Sequence, residues 1–168
     1  MIPENQAAND RRQVVLSEID EVFRKRGHSW YAGEAVTQLQ HALQAATLAE
    51  QANAPGALIA AAVLHDYGHL LHNFGEDCAE NGIDDHHENL GAKQLTKFFG
   101  PDVTEPVRFP VSAKRYLCAT ERDYYVVFPE AFVLGLKLQG GACTEGEAAD
   151  FIAEPHGQAG VRRRRWAG

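Results

Sequence analysis

The residues best placed to do chemistry in this chain are His65 and Asp66, which come directly after the apolar run Ala57–Leu64. An aliphatic run ending in adjacent imidazole and carboxylate groups sets two hard metal ligands at the buried end of a helix. An Asp beside a His can bridge two ions while the His holds one of them. Three further positions extend the pattern. His41 lies one helix-turn-helix earlier. His69 stands four residues beyond His65, facing the same side if the helix continues. His86-His87-Glu88 opens a later helix. Imidazole mixed with carboxylate suits Fe, Mn, Co, Ni or Zn rather than Ca or Mg. Each histidine alone reads as an ordinary polar helix residue, and His28 and His72 are left in that class. The metal reading rests on the combination at the ends of consecutive helices.

The elements that must position these groups read as a string of helices. Val14, Val15, Ile19, Val22 and Phe23 repeat at helical spacing, and Gly27 stops that helix. The second is expected from about Glu34 to Asn53, with Val36, Leu39, Leu43, Ala46 and Ala49 on its buried stripe, before the turn Asn53-Ala54-Pro55-Gly56. The third carries Leu58, Ile59, Ala62 and Val63 and delivers His65-Asp66. Residues 73–85 read as a surface loop, and Glu88 to Phe99 as a helix stopped by Gly100-Pro101. Pro106 and Pro110 punctuate the next segment, so its helix is expected from Pro110 to Leu117. Pro129 to Leu138 reads as another, broken by Gln139-Gly140-Gly141. Thr144 and Glu147 have capping-box spacing for a last helix. Alternation survives only at Tyr124–Phe128. The fold class is all-α, a single domain over residues 1–168.

Composition bounds the rest. At 168 residues, the chain can bury roughly two thirds of its surface without staples. A hydrophobic fraction of 45% and a formal net charge of −7 fit a globular protein and argue against nucleic-acid binding. The basic cluster Arg162–Arg165 reads either as a grip for phosphate or carboxylate or as a solvated tail. Cys78, Cys118 and Cys143 form no C-x-x-C pair, which fits a reducing cytoplasm. No N-terminal signal is visible, and Ala57–Leu64 is too short to cross a bilayer.

Several motifs together resemble the HD-domain superfamily, most closely its small mixed-valent diiron oxygenases, with myo-inositol oxygenase as a distant relative. The resemblance is carried by Tyr31-Ala-Gly-Glu34 through His41, by Leu64-His65-Asp66-Tyr-Gly-His69, and by His87-Glu-Asn-Leu-Gly91-Ala. It continues through Ala113-Lys114-Arg115-Tyr116-Leu117-Cys118, Leu138-Gln139-Gly140-Gly141 and Arg164-Arg165-Trp166. It implies two irons, one on His41, His65 and the bridging Asp66, the other on Asp66 and His87. It further implies O2 as co-substrate, with His69 and Lys114 holding an anionic head group, Gln139 and Arg165 also binding substrate, and Tyr31 and Glu34 as a gate. The chain departs from the family pattern at three positions. Pro110 stands where the family has a histidine, Ala167 where it has an aspartate, and Gly135 where relatives often carry a serine. A site short of two ligands is expected to hold two irons, one, or none, and His72, His86, Glu154 and His156 are candidate substitutes. An altered C-terminal end is a further expectation.

Three functions compete on these residues. The first is an iron-dependent oxygenase acting on a small hydroxylated anion such as a hydroxy-aminophosphonate, with oxidative C–P or C–C cleavage. The second is a repurposed member doing lyase, isomerase or binding work, with Lys114, Tyr31 and Glu34 as acid–base groups. The third is a metal-dependent phosphohydrolase, for which Asp150 is the nearest late carboxylate. Small-molecule partners are expected, with no nucleic acid and no membrane.

Overall fold

A computed structural model describes residues 4–31, 35–71, 87–126 and 130–167. Among these residues the chain is helical throughout, and its only β pairing is an isolated bridge between Trp30 and Thr37. Helix α1, Glu4–Arg26, lies mostly in solvent and packs Ile19, Val22 and Phe23 onto the core. Gly27 ends it as expected: a Cβ there would stand 2.5 Å from the Phe23 carbonyl oxygen.

Helix α2, Gln38–Gln51, starts four residues later than the apolar stripe suggests. The reason is a capping box at Thr37. Its hydroxyl accepts from the Gln40 N–H, and the Gln40 side chain accepts from the Thr37 N–H. Helix α3, Gly56–Val63, is shorter than expected and ends two residues before His65. Leu64 to Asp66 form a turn, and Tyr67–Leu70 a single 3-10 turn. The Glu34 and Asn73–Asp85 assignments lie outside the described residues.

Helix α4 spans His87–Leu95, starting one residue and ending four residues earlier than expected from sequence. Helix α5, Pro101–Arg108, corrects the reading of Pro106 as a break. Pro101 supplies N1, and the helix is so short that Pro106 removes a single backbone bond while burying its ring beside Val103 and Val107. Helix α6 runs Pro110–Thr120, α7 Arg122–Val126 and α8 Glu130–Leu138. The alternation at Tyr124–Phe128 therefore begins inside a helical turn rather than a strand. Gly140 and Gly141, at φ +96° and +76°, turn the chain after α8. Helix α9, Glu145–Ala153, carries the Thr144/Glu147 capping box as expected.

Helix α10, Gly157–Trp166, corrects the solvated-tail alternative for the basic cluster. It packs against α2, α3, α5, α6 and α9, and Arg163 within it is only 1% exposed. The main core joins Leu58, Leu64, Leu70, Leu95 and Val107 around Tyr67, and a second cluster joins Phe109, Leu117, Phe151 and Val161. Each fully buried leucine contributes about 2 kcal/mol. No described helix is long and apolar enough to cross a membrane.

Candidate metal centre

Two triads of ligand atoms share Asp66: His41–His65–Asp66 and Asp66–His69–His87, the atoms of each lying within 4.8 Å of one another. The first is the tighter. His41 Nε2 lies 3.0 Å from His65 Nε2, His65 Nε2 lies 3.2 Å from Asp66 Oδ2, and His41 Nε2 lies 3.7 Å from the same oxygen. An ion binding ligands at about 2.1 Å holds neighbouring ligand atoms roughly 3.0–3.4 Å apart, so the 3.0 and 3.2 Å edges fit one shared ion, and the 3.7 Å edge between His41 and Asp66 must close slightly around it. Two imidazoles and one carboxylate, with further coordination positions left open, also form the donor set of non-heme Fe(II) oxygenases.

Local structure explains the aim of His65. Its Nδ1 lies 2.7 Å from the Ala62 carbonyl, which can only accept, so Nδ1 carries the hydrogen and the Nε2 lone pair faces the triad. The turn after α3 provides that carbonyl, because Ala62 is in the last turn of the helix. His41 is brought in by α2, with the Tyr31 ring stacked on it at 3.7 Å between centroids. Burial first, then the neighbouring His65, lowers the His41 pKa from 6.5 to about 4, so the imidazole is neutral and able to bind metal at neutral pH. Burial pushes the Asp66 carboxyl up, but His65, His69 and His87 outweigh it and hold the group well below 3.8. Asp66 is a carboxylate.

The second triad is assembled by a close backbone approach. A Cβ on Gly68 would stand 1.8 Å from the His87 carbonyl oxygen, and one on Gly91 would stand 2.9 Å from the Gly68 nitrogen. Glycine at both positions lets the 3-10 turn lie directly on α4. His69 and His87 then stack at 3.6 Å between centroids. His69 thus reaches the site from the 3-10 turn and not from a continued helix. His87 Nε2 is 3.9 Å from Asp66 Oδ1, and its Nδ1 is 3.8 Å from the buried Glu88 carboxylate.

The triads border a cavity of about 150 Å³ that also meets Lys114, Gln139, Arg163 and Arg164. Pro110 and Ala167, where the resemblance leads one to expect a histidine and an aspartate, line the same cavity and offer no side-chain donor. Lys114 Nζ and the Arg164 guanidinium both lie over the Phe132 ring, at 5.1 and 5.9 Å from its centroid. A more open groove of about 880 Å³ runs along α2 from His41 and shares Tyr31, Arg164 and Ala167 with the small cavity.

Of the residues expected from sequence, the structure gathers Tyr31, His41, His65, Asp66, His69, His87, Lys114 and Gln139. Arg165 is not among them. It turns to the opposite side, pairs with Glu121, and borders a shallow cleft with Tyr116. Its neighbours Arg163 and Arg164 face the site instead, and only the 100° step along α10 could have separated them. Among the other candidate ligands, His156 caps the start of α10, neither it nor Glu154 borders the cavity, and His72 and His86 lie outside the described residues.

Comparison with known proteins agrees with this geometry. The HD domain family matches residues 38–113, which contain both triads and their turn. The chain is 42% identical over 145 residues to the 1-hydroxy-2-(trimethylamino)ethylphosphonate dioxygenase (glycine-betaine-forming) of Leisingera caerulea, covering 86% of this chain and 74% of that protein. It is also 42% identical over 152 residues to the hydroxymethylphosphonate dioxygenase of Gimesia maris, covering 90% and 75%. The chain belongs to the HD-domain family, within its oxygenase branch.

Proposed function

We propose that this protein is an iron-dependent oxygenase that uses O2 to cleave the C–P bond of a small hydroxylated phosphonate. The observation that carries the reading is the pair of two-histidine, one-carboxylate triads on Asp66, set beside a cavity bordered by Lys114, Arg163 and Arg164. Iron bound there would supply the activation of O2 and a Lewis-acid contact for the substrate hydroxyl. His41, His65 and Asp66 would be its first holders, and His69 and His87 would complete a second, looser position around Asp66.

The remaining work falls to the chain. Lys114 and Arg164 give the phosphonate two positive partners on one wall, which orients its hydroxyl-bearing carbon toward the triads. Asp66 stays ionised and His41 neutral, so neither competes for a proton during the reaction. The stacked Tyr31 ring covers His41 and would limit water entry there. For hydroxymethylphosphonate the balance is one dianion plus one O2 giving formate and dihydrogen phosphate, both oxygen atoms passing into products.

The test is anaerobic reconstitution with Fe(II), elemental counting, and O2 uptake with hydroxymethylphosphonate. Phosphate and formate should appear one for one with O2 consumed. Phosphate release without O2 uptake would replace this reading with a hydrolase. A second reading, non-redox work in the same cavity, is favoured by Pro110 and Ala167 at ligand positions; it requires activity that survives a chelator.

A further inference from the structure

Arg163 is the least explained group near the metal centre. It is 1% exposed, and its Nε donates to the Pro106 carbonyl at 3.1 Å, which ties α10 to α5. Its Nη2 is buried and has no hydrogen-bond partner among the described residues, although the side chain borders the 150 Å³ cavity. A buried guanidinium donor left unmatched is costly, so the cavity favours a ligand that brings an acceptor to it. Gln139, which borders the same cavity, also buries an Oε1 with no partner among the described residues.

Charge points the same way. Lys114, Arg163 and Arg164 border the cavity against one described carboxylate, Asp66. Burial, then Arg164, lowers the Arg163 pKa to about 10, which still leaves it charged at neutral pH. Divalent ions entering the triads would add positive charge beside these three cationic side chains. An oxyanion relieves that repulsion and can donate an oxygen where Pro110 and Ala167 have none to give.

We propose that the metal and a tetrahedral oxyanion bind this cavity as a linked pair, with Arg163 as the residue that couples them. The inference rests on the triads being metal ligands, as in the function proposed above. Linkage makes the effect reciprocal: each partner tightens the other by the same factor.

The probes are Mn(II) and methylphosphonate, which lacks the hydroxyl needed for turnover, followed by calorimetry and by the electron-spin signal of free Mn(II). In the unmodified protein, saturating methylphosphonate should lower the Mn(II) Kd by about tenfold or more, and Mn(II) should lower the methylphosphonate Kd equally. Arg163→Lys keeps the charge but loses the fork of donors, and should cut the coupling to below about threefold. Lys93→Gln, on the exposed face of α4, should keep it. Inorganic phosphate run in parallel separates a phosphonate-selective subsite from one open to any tetrahedral oxyanion. If Arg163→Lys does not fold, a crystal structure with both probes decides its part: an oxyanion oxygen within hydrogen-bond distance of Nη2 supports the coupling role, and none there overturns it. Unchanged Mn(II) affinity with methylphosphonate, or full coupling in Arg163→Lys, overturns the proposal. Coupled binding without O2 uptake on hydroxymethylphosphonate would sink only the oxygenase reading, and O2 uptake without coupling only this one.

Discussion

The two triads use the same carboxylate and the same ligand chemistry, yet they are built differently. The His41–His65–Asp66 half has edges of 3.0, 3.2 and 3.7 Å, and a backbone carbonyl fixes the tautomer of His65. The His87 half leaves 3.9 Å to Asp66, and its orientation depends on a ring stack and on two glycines meeting across a turn. Ligands held by helix ends and a carbonyl arrive with their geometry set; ligands held by stacking leave more to the ion. The first half should therefore fill first and hold its ion more tightly.

Removing the shared ligand tests the comparison most severely. Asp66→Asn should weaken metal binding at both positions by more than about 100-fold, since even the outer partners of a ligand are worth 10–100-fold. His87→Ala should retain one ion by elemental analysis, while His41→Ala should lose the tighter one. Equal loss in the two variants would remove the asymmetry. Next in size is Gly68→Ala. Its methyl would meet the His87 carbonyl at 1.8 Å, so the 3-10 turn must lift off α4. We expect about 3 kcal/mol of lost stability by urea unfolding, and loss of the second ion before the first.

Ala167→Asp should sharpen the tight half. Ala167 is 4% exposed and sits at the C-terminal end of α10, where a carboxylate meets the wrong end of the helix dipole. The metal-free variant should therefore melt lower than the parent protein. Loaded with metal it should melt higher, with affinity raised about tenfold, because the new oxygen becomes a ligand. A variant that melts lower in both states would show that position 167 does not reach the ion.

Legibility from sequence divides along the same line. His41, His65, Asp66 and His87 are readable because ligand type and helix spacing are local properties, and the all-α class comes from period and punctuation. The route of His69 is not, since ending α3 at Val63 depends on packing around Leu64. Arg163 and Arg164 read as one patch with Arg165, because which arginine points inward is decided by how α10 seats against five other helices. Pro106 misleads for a related reason: burial of its ring in the core outweighs one missing backbone bond.

Acidity separates the metal-free protein from the loaded one. An unfolded imidazole titrates near 6.5, whereas His41 in the fold takes its proton only near about 4. Between those values the unfolded chain binds more protons, so stability of the metal-free protein should fall as pH drops from 6.5 toward 4. Urea midpoints at pH 7 and pH 5 measure it, and His41→Asn should flatten the difference.

The smallest expected effect lies on the cation wall. A Cβ added at Gly135 would stand 3.9 Å from Lys114 Nζ with nothing closer, so a serine fits without displacing a neighbour. Its hydroxyl would add a donor beside the lysine, and an oxyanion bound there should gain about threefold in affinity, the size of one modest neutral hydrogen bond. Replacing glycine inside α8 also favours the helix by about 0.5 kcal/mol. Gly135→Ser should therefore raise the melting temperature slightly in the absence of ligand and lower the methylphosphonate Kd. A higher melting temperature with unchanged Kd would place the bound oxyanion nearer Arg163 than Lys114, which shifts the recognition wall from α6 to α10.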